Sequence, residues 1–532
     1  MKIKQLWVSK YKNLKDLTLE FNDGKLISLL VGQNGFGKSN LIEVLALIFK
    51  SLYRFQTLAE AKKWSENNDL LEYEIEYDCK KNTVRVACKY DVFKVDILSD
   101  KSYETISFTQ FQKERKAFLP DYVLGYYSGN SPRLKILLED IEDKEAEKLK
   151  NLSRGGKDDD LPLRSFIFCE PHHSEILLLT LIFFSKTKKY KKSINTLLKQ
   201  YLLIDRVTGF EIQYNNPDWS LEFGGQDYSL NSLIDNLINK VPFPFWHLKG
   251  KVNSLLHYLN NQNEDDPKMI HRESKTDPLF KFREDSVNEL LLFDNLNIGS
   301  IQDTITDYYK KPKDLFDALD SSEIVKIIDS IKTEVSKKDA GSLVSFSNLS
   351  EGEQQLITTI GLIIIFSEYD TLFLFDEPDT HLNPKWQRDY ISIIKQFMPP
   401  EHADNSHLIV ATHSPLLVQA ADENSDLFLF RLSDNMKKII VDYHDTRVLN
   451  WRIDHVLLSK YFDLTSTRPK SLDPFMKERD ELLQKVKLDK KDLERIQKLA
   501  DDFDQFPTGE TLTDLKVLRK AFQYFKENET DN

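Results

Sequence analysis

The chain has 532 residues, 40% of them hydrophobic and 30% charged, with 73 Lys and Arg against 85 Asp and Glu for a formal charge of −12. That length accommodates two or three domains and a large core, and the acidic balance excludes a generic nucleic-acid coat while leaving room for a local basic face. No apolar run reaches the roughly 18 residues that span a bilayer, so a membrane role is excluded as well. The opening MKIKQ has no signal-peptide apolar region, and the cytoplasm is the expected compartment. Cys79, Cys88 and Cys169 are too few and too irregularly spaced for a zinc site or a disulfide framework, and read as buried or idle thiols.

In chain order, residues 1–50 hold 8 Lys against 4 Asp and Glu, so Lys2, Lys4, Lys10, Lys12 and Lys15 form either a phosphate-facing rim or solvated strand edges. Leu17, Leu19 and Phe21 alternate as a half-buried strand does. The apolar run Leu26 to Val31 then enters GQNGFGKS at Gly32 to Ser39, and an apolar helix follows from Leu41 to Phe49. Strand, G-x-x-x-x-G-K-S and helix together are the context of a P-loop. In such a loop the backbone around Gly32, Asn34, Gly35, Gly37 and Asn40 wraps phosphates. Lys38 reaches the β and γ groups, and Ser39 offers a hydroxyl to Mg²⁺.

Leu71 to Tyr77, Thr83 to Tyr90 and Val92 to Leu98 alternate between turn-like residues and predict an antiparallel sheet. Val123 to Tyr127 is a further strand, followed by an SGNSPR loop. Residues 134–340 show no sustained heptads. Shorter helices such as Ser174 to Phe184 and Ser286 to Phe293 predict a compact, mostly helical insertion. The basic run Lys186 to Lys192 reads first as a solvated loop and second as a nucleic-acid contact. His172 and His173 precede Glu175 without a second ligand cluster at a recognisable spacing, and no metal site is assigned to them.

Leu349 to Pro384, LSEGEQQLITTIGLIIIFSEYDTLFLFDEPDTHLNP, organises the second half. Ser350 and Glu353 form a capping box, and Gly352 permits close approach of a phosphate to the new helix N-terminus. The buried strand Thr371 to Phe375 ends in Asp376 and Glu377. Two adjacent carboxylates at such an edge are costly unless they serve a cation or a proton transfer, so Asp376 is assigned to Mg²⁺ and Glu377 to the base. Leu408 to Ala411 delivers Thr412, His413 and Ser414 to the same edge. Beyond Trp451, helices carry apolar residues at three-and-four spacing through Phe525, which need a cover from this chain or a partner.

The series P-loop, LSEGEQQ, FLFDEP and ATHSP resembles the ATP-binding-cassette superfamily, and within it the soluble branch of SMC, RecF and overcoming-lysogenization-defect ATPases. The motif-bearing resemblance covers about residues 1–50 and 340–445. It implies an α/β head with a mostly parallel core sheet and an antiparallel lobe, divided as residues 1–133 and 341–445. The helical insertion (134–340) and a helical C-terminal region for partner docking (446–532) complete the chain. It further implies ATP and Mg²⁺ as cofactors and ATP hydrolysis as the activity. In that family two copies share two ATP sites, with higher assemblies possible. Ser350, Gly352 and Glu353 close over the partner's nucleotide, His413 senses the γ-phosphate, and Asp379 lies in the loop that communicates across the dimer. A Mg²⁺-sensing glutamine is implied too, with Gln110 and Gln112 as possibilities.

WRIDHVLLSKYFDLTSTRPKS, beginning at Trp451, is similar to a segment of defence-related members, the Septu-type (PtuA-like) and retron-associated ATPases. Those imply control of a separate HNH nuclease (PtuB-like) during phage infection, with DNA or retron nucleic acid as a further partner. The missing Toprim motifs and coiled coils favour that reading over the alternative, a RecF- or SMC-like repair or maintenance ATPase that binds DNA itself.

Overall fold

The computed structural model describes most residues of 1–214, 279–283, 302–338 and 343–498. Seven strands form one sheet in the order Ile439–Tyr443, Ser425–Leu432, Ile27–Gly32, Ser406–Thr412, Thr371–Asp376, Tyr122–Tyr127 and Phe166–Cys169. Every neighbouring pair is parallel except the first. Parallel strands are covered on both faces, and accordingly Ile27–Gly32, Thr371–Asp376 and Ser406–Thr412 are buried at every position.

The two-residue alternation along each strand separates two cores. Phe373 and Phe375 face one side, against the helix Glu351–Phe366; Leu372 and Leu374 face the other, with Leu30 and the helix Lys38–Arg54. Shortening Phe373 to Ala would remove a fully buried ring and cost about 3–5 kcal/mol. A six-stranded antiparallel sheet closes the second core, in the order Leu14–Glu20, Lys2–Tyr11, Tyr73–Cys79, Asn82–Lys89, Val92–Ser99 and Ser102–Ile106. Its inward residues Tyr73, Ile75, Tyr77, Val84 and Val86 are fully buried, as the alternation requires. The fold is the expected α/β head with its antiparallel lobe.

Between residues 134 and 340 the described residues combine helices with strands that the sequence reading did not anticipate. Phe166–Cys169 is a strand of the core sheet itself, and Ile204–Tyr214, Leu279–Arg283 and Ile328–Lys337 pair with Leu343–Ser345 in a four-stranded antiparallel sheet. The helix Pro171–Phe184 buries Ile176, Leu177, Leu178, Leu179 and Leu181 completely. A helix apolar all round must be enclosed, and this one lies between Glu351–Phe366 and Pro312–Ile324 as part of the head's own core. The helix expected at Ser286 to Phe293 lies outside the described residues. Within the basic run, Lys189 pairs with Glu368 at 2.6 Å, and Tyr190 donates to the same carboxylate at 2.8 Å.

The segment after Trp451 divides similarly. Val456 and Tyr461 are buried in the head's core, and Gln419 Nε2 donates to the Trp451 carbonyl at 2.6 Å. The start of the expected docking region is therefore packed on its own chain. The apolar stripes from Leu493 to Phe525 lie outside the described residues. Among the described residues, no helix is long and apolar enough to cross a membrane.

Candidate nucleotide site

Register brings the site together. Asp376 pairs with Ala411 on one side and Tyr127 on the other, and Thr412 pairs with Val31, so four strands end level at one edge of the sheet. Ligands of open α/β sheets bind at such carboxyl ends. Between Ile27–Gly32 and the helix Lys38–Arg54 the chain turns through Gly32, Gly35 and Gly37, all at positive φ. Gly32 is obligatory on space as well, since a Cβ there would stand 2.3 Å from the Phe430 carbonyl oxygen, and one at Gly37 would push against the tip of Leu14, 2.6 Å from Cδ2. Gly37 offers the helix no side-chain cap, and its first N–H groups open on a cavity of about 570 Å³.

That cavity is lined by Asn34, Gly35, Gly37, Lys38, Ser39 and Asn40 from the loop, and by Glu377 and His413 from the neighbouring strand ends. Lys38 is 4% exposed and folds back to donate to the Gly32 carbonyl at 2.8 Å and the Gln33 carbonyl at 3.2 Å. Burial lowers its pKa to about 8, against the pull of Asp376 and Glu377. Asp376 is 3% exposed; burial pushes it up to about 6, opposed by its hydrogen bond with Ser39. Its Oδ1 is buried and accepts no hydrogen bond. A buried carboxylate oxygen beside a serine hydroxyl is a donor set that fits Mg²⁺.

Glu377 follows in a left-handed conformation, φ 54°, which costs a non-glycine residue about 1–3 kcal/mol and is held from three directions. Its N–H donates to the Ala411 carbonyl at 2.8 Å. Its own carbonyl accepts from Gln355 Nε2 at 3.2 Å and Thr380 Oγ1 at 3.1 Å. The turn directs the carboxylate to His413, whose Nε2 lies 3.3 Å from Glu377 Oε1 and 2.8 Å from Lys38 Nζ. Burial, then the Lys38 charge, depress the His413 pKa, so the ring is neutral at neutral pH.

Ser350, Gly352 and Glu353 do not line this cavity, nor do Gly32, Asp376 and Asp379. Ser350 and Glu353 form the anticipated capping box: Ser350 Oγ accepts from the Glu353 N–H at 3.3 Å, and Glu353 Oε2 accepts from the Ser350 N–H at 3.0 Å. Gly352 sits so close to the following loop that a Cβ would stand 2.5 Å from the His381 carbonyl oxygen. All three belong to the start of the helix Glu351–Phe366, apart from the residues around Lys38. Asp379 is held inside the protein. It is 3% exposed, burial pushes its pKa up to about 6, and both carboxylate oxygens accept from Thr412 Oγ1 at 3.0 Å. The side chain turns into the protein and braces the Ser406–Thr412 strand end.

Gln110 and Gln112 are also displaced from the role considered for them. Gln112 Nε2 donates to the Phe55 and Gln56 carbonyls, and neither glutamine lines the cavity. The neighbour of Asp376 is instead Ser128, whose N–H donates to the Asp376 carbonyl at 3.3 Å. Asn13 and Arg133 line the cavity and were not anticipated. Asn13 accepts from Asn40 and donates to the Gly35 carbonyl, both at 2.6 Å, and so holds the P-loop. The signal for Arg133 was a lone guanidinium just past the SGNSP loop, beside a core strand.

P-loop, paired carboxylates and histidine at the edge of a parallel sheet define an ATPase head. Residues 1–418 match the AAA ATPase domain family, AAA_15, and the chain belongs to that family and is an ATPase. Among curated proteins it is 29% identical to a Septu protein PtuA of Bacillus thuringiensis, over 29% of this chain and 46% of that one. It is 34% identical to the Retron Vc95 probable ATPase of Vibrio cholerae, over 15% of this chain and 16% of that one. A second Septu protein PtuA, of Bacillus mycoides, is 24% identical over 42% of this chain and 32% of its own length. The chain thus spans less than half the length of either PtuA. Among solved structures, the Smc head bound to the C-winged helix domain of ScpA matches 83% of this chain and 98% of its own, with 13% identity and a TM-score of 0.34.

Proposed function

We propose that this chain is the ATP-driven switch of an anti-phage defence system, in which two copies close on two shared ATP molecules and control a separate HNH-type nuclease. The observation that carries the dimer is the division of the site. Lys38, Ser39, Glu377 and His413 line one cavity, with Asp376 hydrogen-bonded to Ser39, while the helix N-terminus at Ser350 to Glu353 does not line it. A helix start is an anion site, and a second copy supplies it to the first copy's nucleotide.

Mg²⁺ would be held by Ser39 and Asp376, supplying charge neutralisation to the phosphates. Lys38 binds the phosphates, Glu377 orients a water, and neutral His413 stands beside the charge that Lys38 brings. Likeness to the Septu and retron proteins supports the defence assignment, to which the proposal adds an HNH partner and a cytoplasmic setting. Co-expression with an HNH protein encoded beside this chain tests it. The assignment requires co-purification and phage protection that Glu377→Gln abolishes.

A second reading has one observation in its favour. Over 91 residues the chain is 31% identical to the DNA replication and repair protein RecF of Caldanaerobacter subterraneus. If the protein alone bound duplex DNA in an ATP-dependent manner and captured no HNH protein, a repair or maintenance ATPase would replace the defence switch.

A further inference from the structure

Away from the nucleotide, a cavity of about 510 Å³ is lined by seven carboxylates and a single ammonium group, Lys326. Two of the acids come from the helix Arg133–Ser153, two from Glu170 and Glu175 at the start of the helix Pro171–Phe184, two from Asp320 and Glu323 on the helix Pro312–Ile324, and one from the strand Ile328–Lys337. Concentrating that many acids around partly buried groups is unfavourable unless some of them are protonated or a cation compensates.

The cavity also holds nitrogen donors. His172, His173 and Asp320 each offer a ligand atom, and these atoms lie within 4.8 Å of one another. His173 Nδ1 accepts the Glu170 N–H at 2.9 Å, so its Nε2 carries the proton and donates to Asp320 Oδ1 at 3.0 Å. His173 is 3% exposed and Asp320 1%, and this bond fixes the buried carboxylate in place. The His172 ring lies against that of His173, tilted by 35° with centroids 3.9 Å apart, and its Nε2 is 3.6 Å from Glu323 Oε2. Two ligands about 2.1 Å from a tetrahedral ion lie about 3.4 Å apart, so that gap is of the size one cation bridges.

We propose that His172, Asp320 and Glu323 form a site for a divalent transition cation, Zn²⁺ by its mixed nitrogen and oxygen donors, with His173 as the residue that positions Asp320. Mg²⁺ and Ca²⁺ prefer all-oxygen sets and are disfavoured by the imidazole. The ion would join Pro171–Phe184 to Pro312–Ile324 beside the helix Glu351–Phe366, since Ser174 Oγ, next to His173, lies 2.6 Å from Thr358 Oγ1. The cation staples the segment between the two halves of the head to the helix that would close on a partner's nucleotide.

The test uses the full chain, freed of metal by chelator and without nucleotide, titrated with Zn²⁺ against a chromophoric chelator. Wild type is expected to take up one Zn²⁺ per chain and to melt at a higher temperature with Zn²⁺, but not with the same concentration of Mg²⁺. Glu377→Gln, in the other acidic site, should keep that uptake. His172→Ala changes a half-exposed ring and should weaken Zn²⁺ binding by about tenfold to a hundredfold while leaving ATP-analogue binding intact. Asp320→Asn should do the same; if it fails to fold, His172→Ala decides alone. No Zn²⁺ uptake by wild type, or equal affinity in His172→Ala, overturns the site.

Discussion

The Lys38 ammonium stands 2.8 Å from Nε2 of His413, which joins the P-loop to a strand end 375 residues away. An uncharged imidazole can accept from an ammonium, and the depressed His413 pKa keeps it uncharged. Lys38 in turn is held at about 8 chiefly by burial. A triphosphate would favour its charged form again, so above pH 8 binding must take up a proton. ATP affinity should therefore be flat below pH 8 and fall by up to about tenfold for each pH unit above it. Titration with a fluorescent ATP analogue at pH 7, 8 and 9 checks this. Lys38→Arg, whose charge does not titrate in that range, should lose the dependence.

Gln355 links the helix Glu351–Phe366 to the turn at Glu377 within one chain. Its Nε2 donates to the Glu377 carbonyl, and its Oε1 accepts from the His381 N–H at 3.1 Å. Gln355→Ala removes both ends of that bridge without touching the cavity. Hydrolysis should fall between about tenfold and a hundredfold, because small misplacements of a base are expensive, while the Kd for ATP is unchanged. Single-turnover kinetics with a parallel binding titration separate the two.

Gly352→Ala is expected to act on stability. The added Cβ meets backbone at 2.5 Å, and neither the helix nor the His381 loop can yield cheaply. A loss of about 1–3 kcal/mol should appear as a lowered Tm in calorimetry, with monomer nucleotide binding retained. An unchanged Tm would mean that this loop and helix are not packed as described.

How much of this was legible in the chain depended on whether the signal was local. Gly32 to Ser39, the Ser350–Glu353 box and the Asp376–Glu377 strand end each carry their chemistry within about eight residues, and the register of the sheet brings the P-loop and the carboxylates together as expected. Asp379 was placed by its motif neighbours, yet burial commits it to Thr412, a contact that sequence spacing does not encode. Phe166–Cys169 was missed because four apolar residues next to an apolar helix have no period of their own. Strand Ile328–Lys337 did alternate, with Ile331, Thr333 and Val335 buried, but its partner Ile204–Tyr214 lies more than a hundred residues earlier. The His172 and His173 pair was set aside for want of further ligands. Asp320 is 147 positions from His173, and only the packing of two helices brings them to 3.0 Å.

Composite sites also predict complementation. Lys38→Ala disables the nucleotide face and Ser350→Arg the covering face, so each alone should be inactive. Mixed in equal amounts, they should recover partial phosphate release from the one pairing that leaves a site intact on both faces. No recovery, with both variants folded, would count against sharing in trans.

The most direct test of the ATP-closed dimer is the mass of Glu377→Gln in solution with and without Mg·ATP, measured by analytical ultracentrifugation. Gln keeps the size of Glu377 and leaves Asp376 in place, so nucleotide binds but hydrolysis falls by about 10²-fold or more. The account predicts an added ATP-dependent association of two copies, absent from the Glu377→Gln, Ser350→Arg double variant. An identical mass with and without ATP, in a protein shown to bind the nucleotide, would contradict it.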